Sequence, residues 1–408
     1  MAWLDALRGY AALTVVLFHL SPQIIGVERH MAIYRQIDLG KYAVLLFFLV
    51  SGYVIPMSLE RHGSLRRFWT GRLLRIYPAY LVTIALVTLL VTAGLMHWPG
   101  SLRTETVTGV LAHASMTPDL AGVRGVVRVF WTLSYEMVFY LIVTGLHAWR
   151  LHRLSAWWAG GLALVALLAG PHLPDDLLGG SFAHRRALAG VLLLILVLVV
   201  LACLKQRCLK AAGVLGLAVV FVPALNGHPN AGSTVASSPQ ALTFLAVMFA
   251  GTVVYRWQHG QIGRFAGLTA LTMVTLGLLG SQRTYATTAA LIATVLFAYA
   301  MRNRTMPLVL PWLGQISYSL YLLHVVLLFL MLRLVPELGT QPVPVRLLAG
   351  ITYLTSAIGL AWLSYRMVEL PAQALARKIS GGGSGRPITA TERALPGTGR
   401  GENQRQSV

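Results

Sequence analysis

Apolar runs of 15–22 residues recur from one end of this 408-residue chain to the other. Each is long enough, or nearly so, to cross the hydrocarbon of a bilayer as a helix. With 56% hydrophobic residues and 11% charged ones, a soluble fold has too little polar surface to cover its apolar residues. An outer-membrane barrel would alternate apolar and polar residues in segments of about ten, a pattern absent here. The sequence therefore predicts an all-α, polytopic transmembrane helical bundle. Spans are expected at 9–27, 39–58, 76–96, 130–149, 157–170, 187–204, 211–225, 239–256, 264–281, 285–301, 313–333 and 346–367. The segments 157–170 and 211–225 are short. If neither crosses, ten spans remain instead of twelve, and both counts place the two termini on one side.

The formal net charge of +20 would suit a nucleic-acid binder, but basic residues in a membrane protein gather in cytoplasmic loops. A cytoplasmic N-terminus places Arg61, Arg66, Arg67, Arg72 and Arg75 in one inner loop, with Arg150, Arg153, Lys205, Arg207, Lys210, Arg256, Arg264, Arg302 and Arg304 on the same side. The bias predicts cytoplasmic termini, a multi-pass protein of the inner (cytoplasmic) membrane, a lipid bilayer as its partner and no nucleic acid. Residues 1–379 read as one transmembrane domain. Residues 380–408, opened by Gly381-Gly382-Gly383-Ser384-Gly385, read as a disordered cytoplasmic tail. The longest outer loop, 97–129, has room for a re-entrant or interfacial helix. The first thirty residues lack the small-x-small cleavage site of a signal peptide. Cys203 and Cys208 are too few for a disulfide framework or a four-ligand metal site, so no metal is expected.

Against this apolar background a few polar residues stand out. Arg8 and His19, eleven apart, share one helix face with about 16 Å between them along the axis. An ionisable group at mid-span costs about 2.5–3.5 kcal/mol on insertion scales, so His19 needs a cavity or a partner. Arg8 alone reads equally as an orientation anchor. Arg72 and Arg75, in the loop before the third span, point the same way and with Arg8 suit a polyphosphate. Glu136, two turns into the fourth span, is placed at the depth of His19, where a histidine–carboxylate pair would fix a tautomer. Ser317, Tyr321 and His324 form one stripe, with His324 near the same depth. In the second span, Phe47-Phe48 precedes Ser51-Gly52-Tyr53, whose glycine permits close approach of a backbone or a ligand. Each feature by itself also fits interhelical packing.

Taken in order, these features resemble the acyltransferase 3 family of integral membrane acyltransferases, over roughly residues 3–371. Leu4-Asp5-Ala6-Leu7-Arg8-Gly9 with His19 is similar to its opening signature. Phe47-Phe48 with Ser51-Gly52-Tyr53, Arg72-x-x-Arg75-Ile76-Tyr77-Pro78, Trp131–Glu136, Ser317–His324 and Arg366–Pro371 resemble later ones. Tyr135, Met137 and the Val325-Val326 that follows His324 depart from the usual pattern, at positions suited to tuning an acceptor pocket. The resemblance implies a stand-alone O-acyltransferase moving an acyl group, usually acetyl, from acyl-CoA to a hydroxyl of a glycan, a lipid-linked sugar or a secondary metabolite such as a macrolide. Polysaccharide modification is the commonest setting. It implies His19 as general base, with Glu136 and His324 as catalytic partners, and Arg8, Ser51, Gly52, Tyr53, Arg72 and Arg75 along the acyl-CoA. The rival reading is a transporter using His19, Glu136 and His324 as a relay. Inverted repeats typical of transporters are not visible in the sequence.

Overall fold

In the computed structural model, residues 2–281 and 285–380 are described. The glycine-led tail and residues 282–284 lie outside them. The described residues form helices joined by turns and short loops. In chain order they are α1 (Ala2–Ile25), α2 (Val27–Gln36), α3 (Leu39–His62), α4 (Leu65–Thr92), α5 (Gly100–Thr104), α6 (Thr106–Ala114), α7 (Trp131–Ala148), α8 (Ser155–Leu168) and α9 (Phe182–Lys205). There follow α10 (Leu209–Ala218), α11 (Phe221–Leu225), α12 (Ser238–Gln258), α13 (Arg264–Ser281), α14 (Tyr285–Ala300), α15 (Val309–Leu334), α16 (Val343–Ser364) and α17 (Leu370–Ile379). The helix starts are written in the sequence. Asp38, Ser64, Ser181 and Ser237 each accept a backbone N–H of the first turn of α3, α4, α9 and α12, which satisfies a donor that the helix leaves unpaired. Gly63 ends α3 at φ 62°, a conformation that costs glycine little.

Among the described residues, seven stretches are long and apolar enough to cross a membrane: 39–61, 65–92, 128–148, 182–205, 238–258, 309–334 and 343–379. The chain is an all-α polytopic bundle. Side-chain neighbours give the helix directions. Trp3 packs on Tyr53 and Tyr10 on Tyr42, so α1 and α3 are antiparallel. Phe139 meets Phe249 while Trp131 meets Phe244, so α7 and α12 are parallel. Trp158 stacks on Phe249 and Gly170 nears Pro239, so α8 opposes α12. Gly145 meets Gly213 and Gly216 meets Leu141, so α10 opposes α7. These directions are those of an alternating chain, the two short segments α8 and α10 included.

Two crossings are tight because both helices carry glycine. A methyl added at Gly9 would overlap the Leu310 carbonyl, and one at Gly314 the Asp5 carbonyl. This brings α1 and α15 together as a parallel pair. A methyl at Gly52 would overlap Met248, and one at Gly251 the Leu49 carbonyl, joining α3 to α12. Small residues of this kind are what let membrane helices approach.

Two details differ from the sequence reading, while the loop 97–129 carries helices as expected. α4 starts at Leu65, eleven residues before the expected span, so Arg72 and Arg75 sit inside a helix and not in a loop. The Ser64 cap and an apolar face of Leu65, Phe68, Trp69 and Ile76 extend it. α2 is a separate polar helix. The loop 97–129 carries α5 and α6 and is pinned by the buried pair Arg185–Glu105, two parallel bonds of 2.8 and 3.1 Å.

Candidate functional site

Between α1, α3, α4, α7 and α15 lies a cavity. Arg8, Arg72, Arg75 and Glu136 supply its charged groups, with Ser51, Tyr140 and Tyr318 among its polar lining. Arg72 is buried and stacks between the rings of Phe68 and Tyr140, 5.6 and 5.5 Å from their centroids. Such stacking suits a guanidinium better than an ammonium. Glu136 accepts a 2.5 Å hydrogen bond from Tyr140 Oη and a longer one, 3.4 Å, from Ser51 Oγ. Three guanidiniums against one carboxylate leave the cavity cationic. Glu369, held at 2.5 Å by Ser319 Oγ on the π turn Tyr365–Glu369 between α16 and α17, lies within electrostatic reach of Arg75.

The cavity ends at Phe47 and Tyr321, whose rings meet at 5.7 Å. Tyr321 is fixed by its hydroxyl, which donates to Val129 O at 3.1 Å and lies 3.0 Å from Thr132 Oγ1. Beyond it, with ring centroids 6.0 Å apart, is His324. His324 is fully buried, and its Nε2 lies 3.1 Å from His19 Nδ1. The parallel crossing at Gly9 and Gly314 sets this register, since ten residues onward from each glycine stand His19 and His324.

The bonds around the pair dictate where the protons sit. His324 Nδ1 faces the carbonyl of Leu320 at 3.1 Å. A carbonyl only accepts, so this nitrogen carries the hydrogen and Nε2 is left as an acceptor. His19 Nδ1 then carries its own hydrogen, shared between His324 Nε2 and Val15 O at 3.1 Å. The remaining nitrogen of His19, Nε2, keeps a free lone pair. Tyr353 Oη donates to His324 O at 3.1 Å and ties α16 to the same place.

The structure regroups the residues singled out in the sequence. Arg8, Arg72, Arg75, Ser51 and Glu136 come together. His19 and His324 form a separate pair at the far side of Tyr321. Glu136 is not beside His19. It lies about two helical turns from Val129, towards the arginines, where Tyr140 and Ser51 are its hydrogen-bond partners. The depth argument failed because α7 is preceded by a one-turn helix, Arg128–Phe130, that sets Glu136 further in. Gly52 and Tyr53 do not line the cavity. Successive helix residues turn by 100°, so with Ser51 facing inward Gly52 meets α12 and Tyr53 donates to Gln258 Oε1 at 2.5 Å. Thr132, Tyr318 and Tyr353 were not singled out by the sequence as site residues. Neutral hydroxyls are cheap in a span and leave no signal there.

Residues 1–175 match a family model described as an acyltransferase domain. Acyltransferase MdmB of Streptomyces mycarofaciens is 34% identical over 142 residues, 34% of this chain and 37% of that protein. Nodulation protein 10 of Rhizobium leguminosarum bv. viciae is 32% identical over 151 residues, 31% of this chain and 37% of that protein. Putative acetyltransferase ORF330 of Acidianus two-tailed virus is 28% identical over 150 residues, 36% of this chain and 40% of that protein. The chain thus spans well under half the length of each of these relatives. No solved structure matches it. The stretch that carries Arg8, His19, Arg72, Arg75 and Glu136 lies within residues 1–175, over which the chain is similar to that acyltransferase domain.

Proposed function

We propose that this multi-pass membrane protein is an O-acyltransferase, taking an acyl group, acetyl in the simplest case, from acyl-CoA at the Arg8 end and passing it to a hydroxyl at the His19 end. The observation that carries this reading is the 3.1 Å contact between His19 Nδ1 and His324 Nε2, which leaves His19 Nε2 as an oriented base. Arg8, Arg72 and Arg75 meet the donor's phosphates. The pantetheine arm follows α1 along the cavity, where about 16 Å separates Arg8 from His19. Phe47 and Tyr321 part to admit the thioester. His19 Nε2 takes the acceptor's hydroxyl proton as the oxygen attacks the thioester carbon. The new C–O bond forms, the C–S bond breaks, and the CoA thiolate leaves after taking from His19 the proton that His19 removed from the acceptor. General base catalysis of this kind contributes typically 10²–10⁴-fold. The acceptor is a glycan, a lipid-linked sugar or a secondary metabolite such as a macrolide. The Arg8 end faces the cytoplasm, where acyl-CoA is found, both termini lie there, and the membrane is the inner one.

The experiment is transfer of label from acetyl-CoA to a panel of hydroxyl acceptors by the purified protein. His19→Ala is expected to lose at least a hundredfold in kcat while inserting normally. Wild-type rates in that variant would overturn the assignment of the base. Arg72→Lys keeps the charge but loses the fork and the stacking, so KM for acyl-CoA should rise about tenfold, or about 1.4 kcal/mol, with kcat little changed. An unmoved KM would place the donor elsewhere.

A further inference from the structure

A second, small cavity opens at the same end of the molecule as Arg8 but between α3, α7, α8 and α12. Its polar lining is Glu60, His147, His152, Ser155, Thr252 and Arg256. None of these lines the arginine cavity described above. Thr252 is occupied, donating to Gly52 O at 2.8 Å. Arg256 is paired with Glu60 through one terminal nitrogen. Four buried polar atoms remain without any partner in the protein: Arg256 Nε, His147 Nδ1, His152 Nδ1 and Ser155 Oγ. Their convergence on one cavity is unusual, because buried polar atoms are satisfied almost everywhere in folded proteins.

The identity of these atoms defines what would satisfy them. Arg256 Nε is a donor and nothing else, and Arg256 is only 2% exposed. Ser155 Oγ and both imidazole nitrogens donate when a strong acceptor is offered. Ser155 is itself 1% exposed and is the first residue of α8, a helix with no side-chain cap. The first N–H groups of α8 have no side-chain acceptor at this end, where the positive end of the helix dipole lies. A helix N-terminus with an arginine and further donors around it suits an oxyanion. Arg153, exposed in the turn before α8, adds a positive charge within reach of Arg256 and His152. It offsets Glu60, the carboxylate among the polar lining residues.

The geometry points to a phosphate-binding site at the N-terminus of α8, in which Ser155, His147, His152 and Arg256 hold the oxygens of one phosphate group. The source is either the headgroup of an anionic lipid or a soluble phosphate. The site is independent of the acyl-transfer reading, since none of its residues lines the arginine cavity. It also predicts a pH dependence. The titratable and charged groups facing it are Glu60 on α3, His147 on α7, His152 and Arg153 in the turn, and Arg256 on α12. Burial, Arg256 and Arg153 hold His152 below the usual histidine value. A bound dianion favours the protonated ring, so binding takes up a proton and tightens as pH falls.

The test is binding by the purified full-length protein, read calorimetrically with inorganic phosphate at pH 6 and pH 8, and in nanodiscs with phosphatidic acid in place of phosphatidylcholine. Phosphate should bind more tightly at pH 6. His152→Ala and Ser155→Ala, both of which leave the Glu60–Arg256 pair intact, should each weaken binding at least tenfold, and His152→Ala should also flatten the pH dependence. Competition by phosphatidic acid identifies the lipid source; binding unaffected by it identifies the soluble one. Arg256→Gln is less informative, because it unpairs Glu60 and risks the fold. Absence of phosphate binding in both arms means that water alone fills the cavity and overturns the proposal. Binding that neither His152→Ala nor Ser155→Ala weakens puts the phosphate elsewhere, and overturns it equally.

Discussion

His19 and His324 illustrate how much one hydrogen bond decides. The helix carbonyl of Leu320 sets the tautomer of His324, and His324 sets that of His19. In the proposed reaction His324 acts through His19 as a positioning residue. Its replacement should behave differently from loss of the base itself. His324→Gln keeps a side-chain acceptor near His19 Nδ1, whereas His324→Leu keeps only bulk. We expect His324→Leu to lower kcat by about ten- to a hundredfold, a fraction of the full general-base effect, with partial recovery in His324→Gln and an unchanged KM for acyl-CoA. Equal rates in the two variants would show that bulk, and not the hydrogen bond, is what His324 supplies. Arg8 and His19 were legible in the sequence because ionisable groups inside apolar runs are expensive and so conspicuous. Their partners were less so. The sequence gives spacing along one helix, and the His19–His324 bond joins residues 305 apart, through a register set by two glycines. Glu136 was equally conspicuous but was assigned the wrong neighbour, because depth counted from a span's edge shifts when a turn such as Arg128–Phe130 precedes the helix.

That register is a property of the α1–α15 element pair. Gly314 has backbone where a side chain would stand, and the relaxation needed to fit one is a helix shift, not a rotamer change. Overpacking of a close contact typically costs 1–3 kcal/mol. Gly314→Val should therefore lower the melting temperature in detergent and reduce acyl transfer more than that loss alone explains, since the same shift parts His19 from His324. A Gly314→Val protein with wild-type melting and activity would mean the crossing tolerates separation. The connection before α7 carries a different device. Asp119 is buried, accepts from Thr234 N at 2.9 Å through Oδ1 and has no partner for Oδ2. Burial pushes its pKa up to about 6, above its unfolded value near 3.9. The folded state then holds the proton more tightly, so stability falls as pH rises from about 4 to 6 and stays lower beyond. Asp119→Asn carries no charge and should flatten that slope, with melting temperatures of wild type and variant converging at pH 4 and the variant higher at pH 7.5. A variant that melts lower at both values would show that the carboxylate's bonds outweigh its desolvation. Helix positions were readable from apolar runs and caps; α2 and the π turn at Tyr365–Glu369 were not, since a short polar helix and a one-residue insertion leave no periodic signal.

At the scale of the whole molecule the open structural question from the sequence was whether 157–170 and 211–225 cross. Length alone argued against both, at 14 and 15 residues. Their neighbours argue for them. α8 runs against α12 and α10 against α7, as an unbroken alternation requires, and α9, between them, places Lys205, Arg207 and Lys210 at the Arg8 end. The two native cysteines turn this into a measurement. Cys203 is buried and Cys208 exposed, in the connection between α9 and α10. If all twelve segments cross and Arg8 faces the cytoplasm, Cys208 is cytoplasmic. If the two short segments stay on one side, the α9–α10 connection moves to the opposite face and Cys208 with it. A membrane-impermeant maleimide applied to intact cells should leave the protein unlabelled, and applied to inverted vesicles should modify it once, with Cys208→Ser abolishing the signal and Cys203→Ser leaving it unchanged. Labelling in intact cells would remove both short segments from the membrane or reverse the protein. A second cysteine placed in the connection between α3 and α4, at Gly63, separates these outcomes. In a reversed protein it labels with Cys208 from outside, and in a ten-span protein it labels only from within.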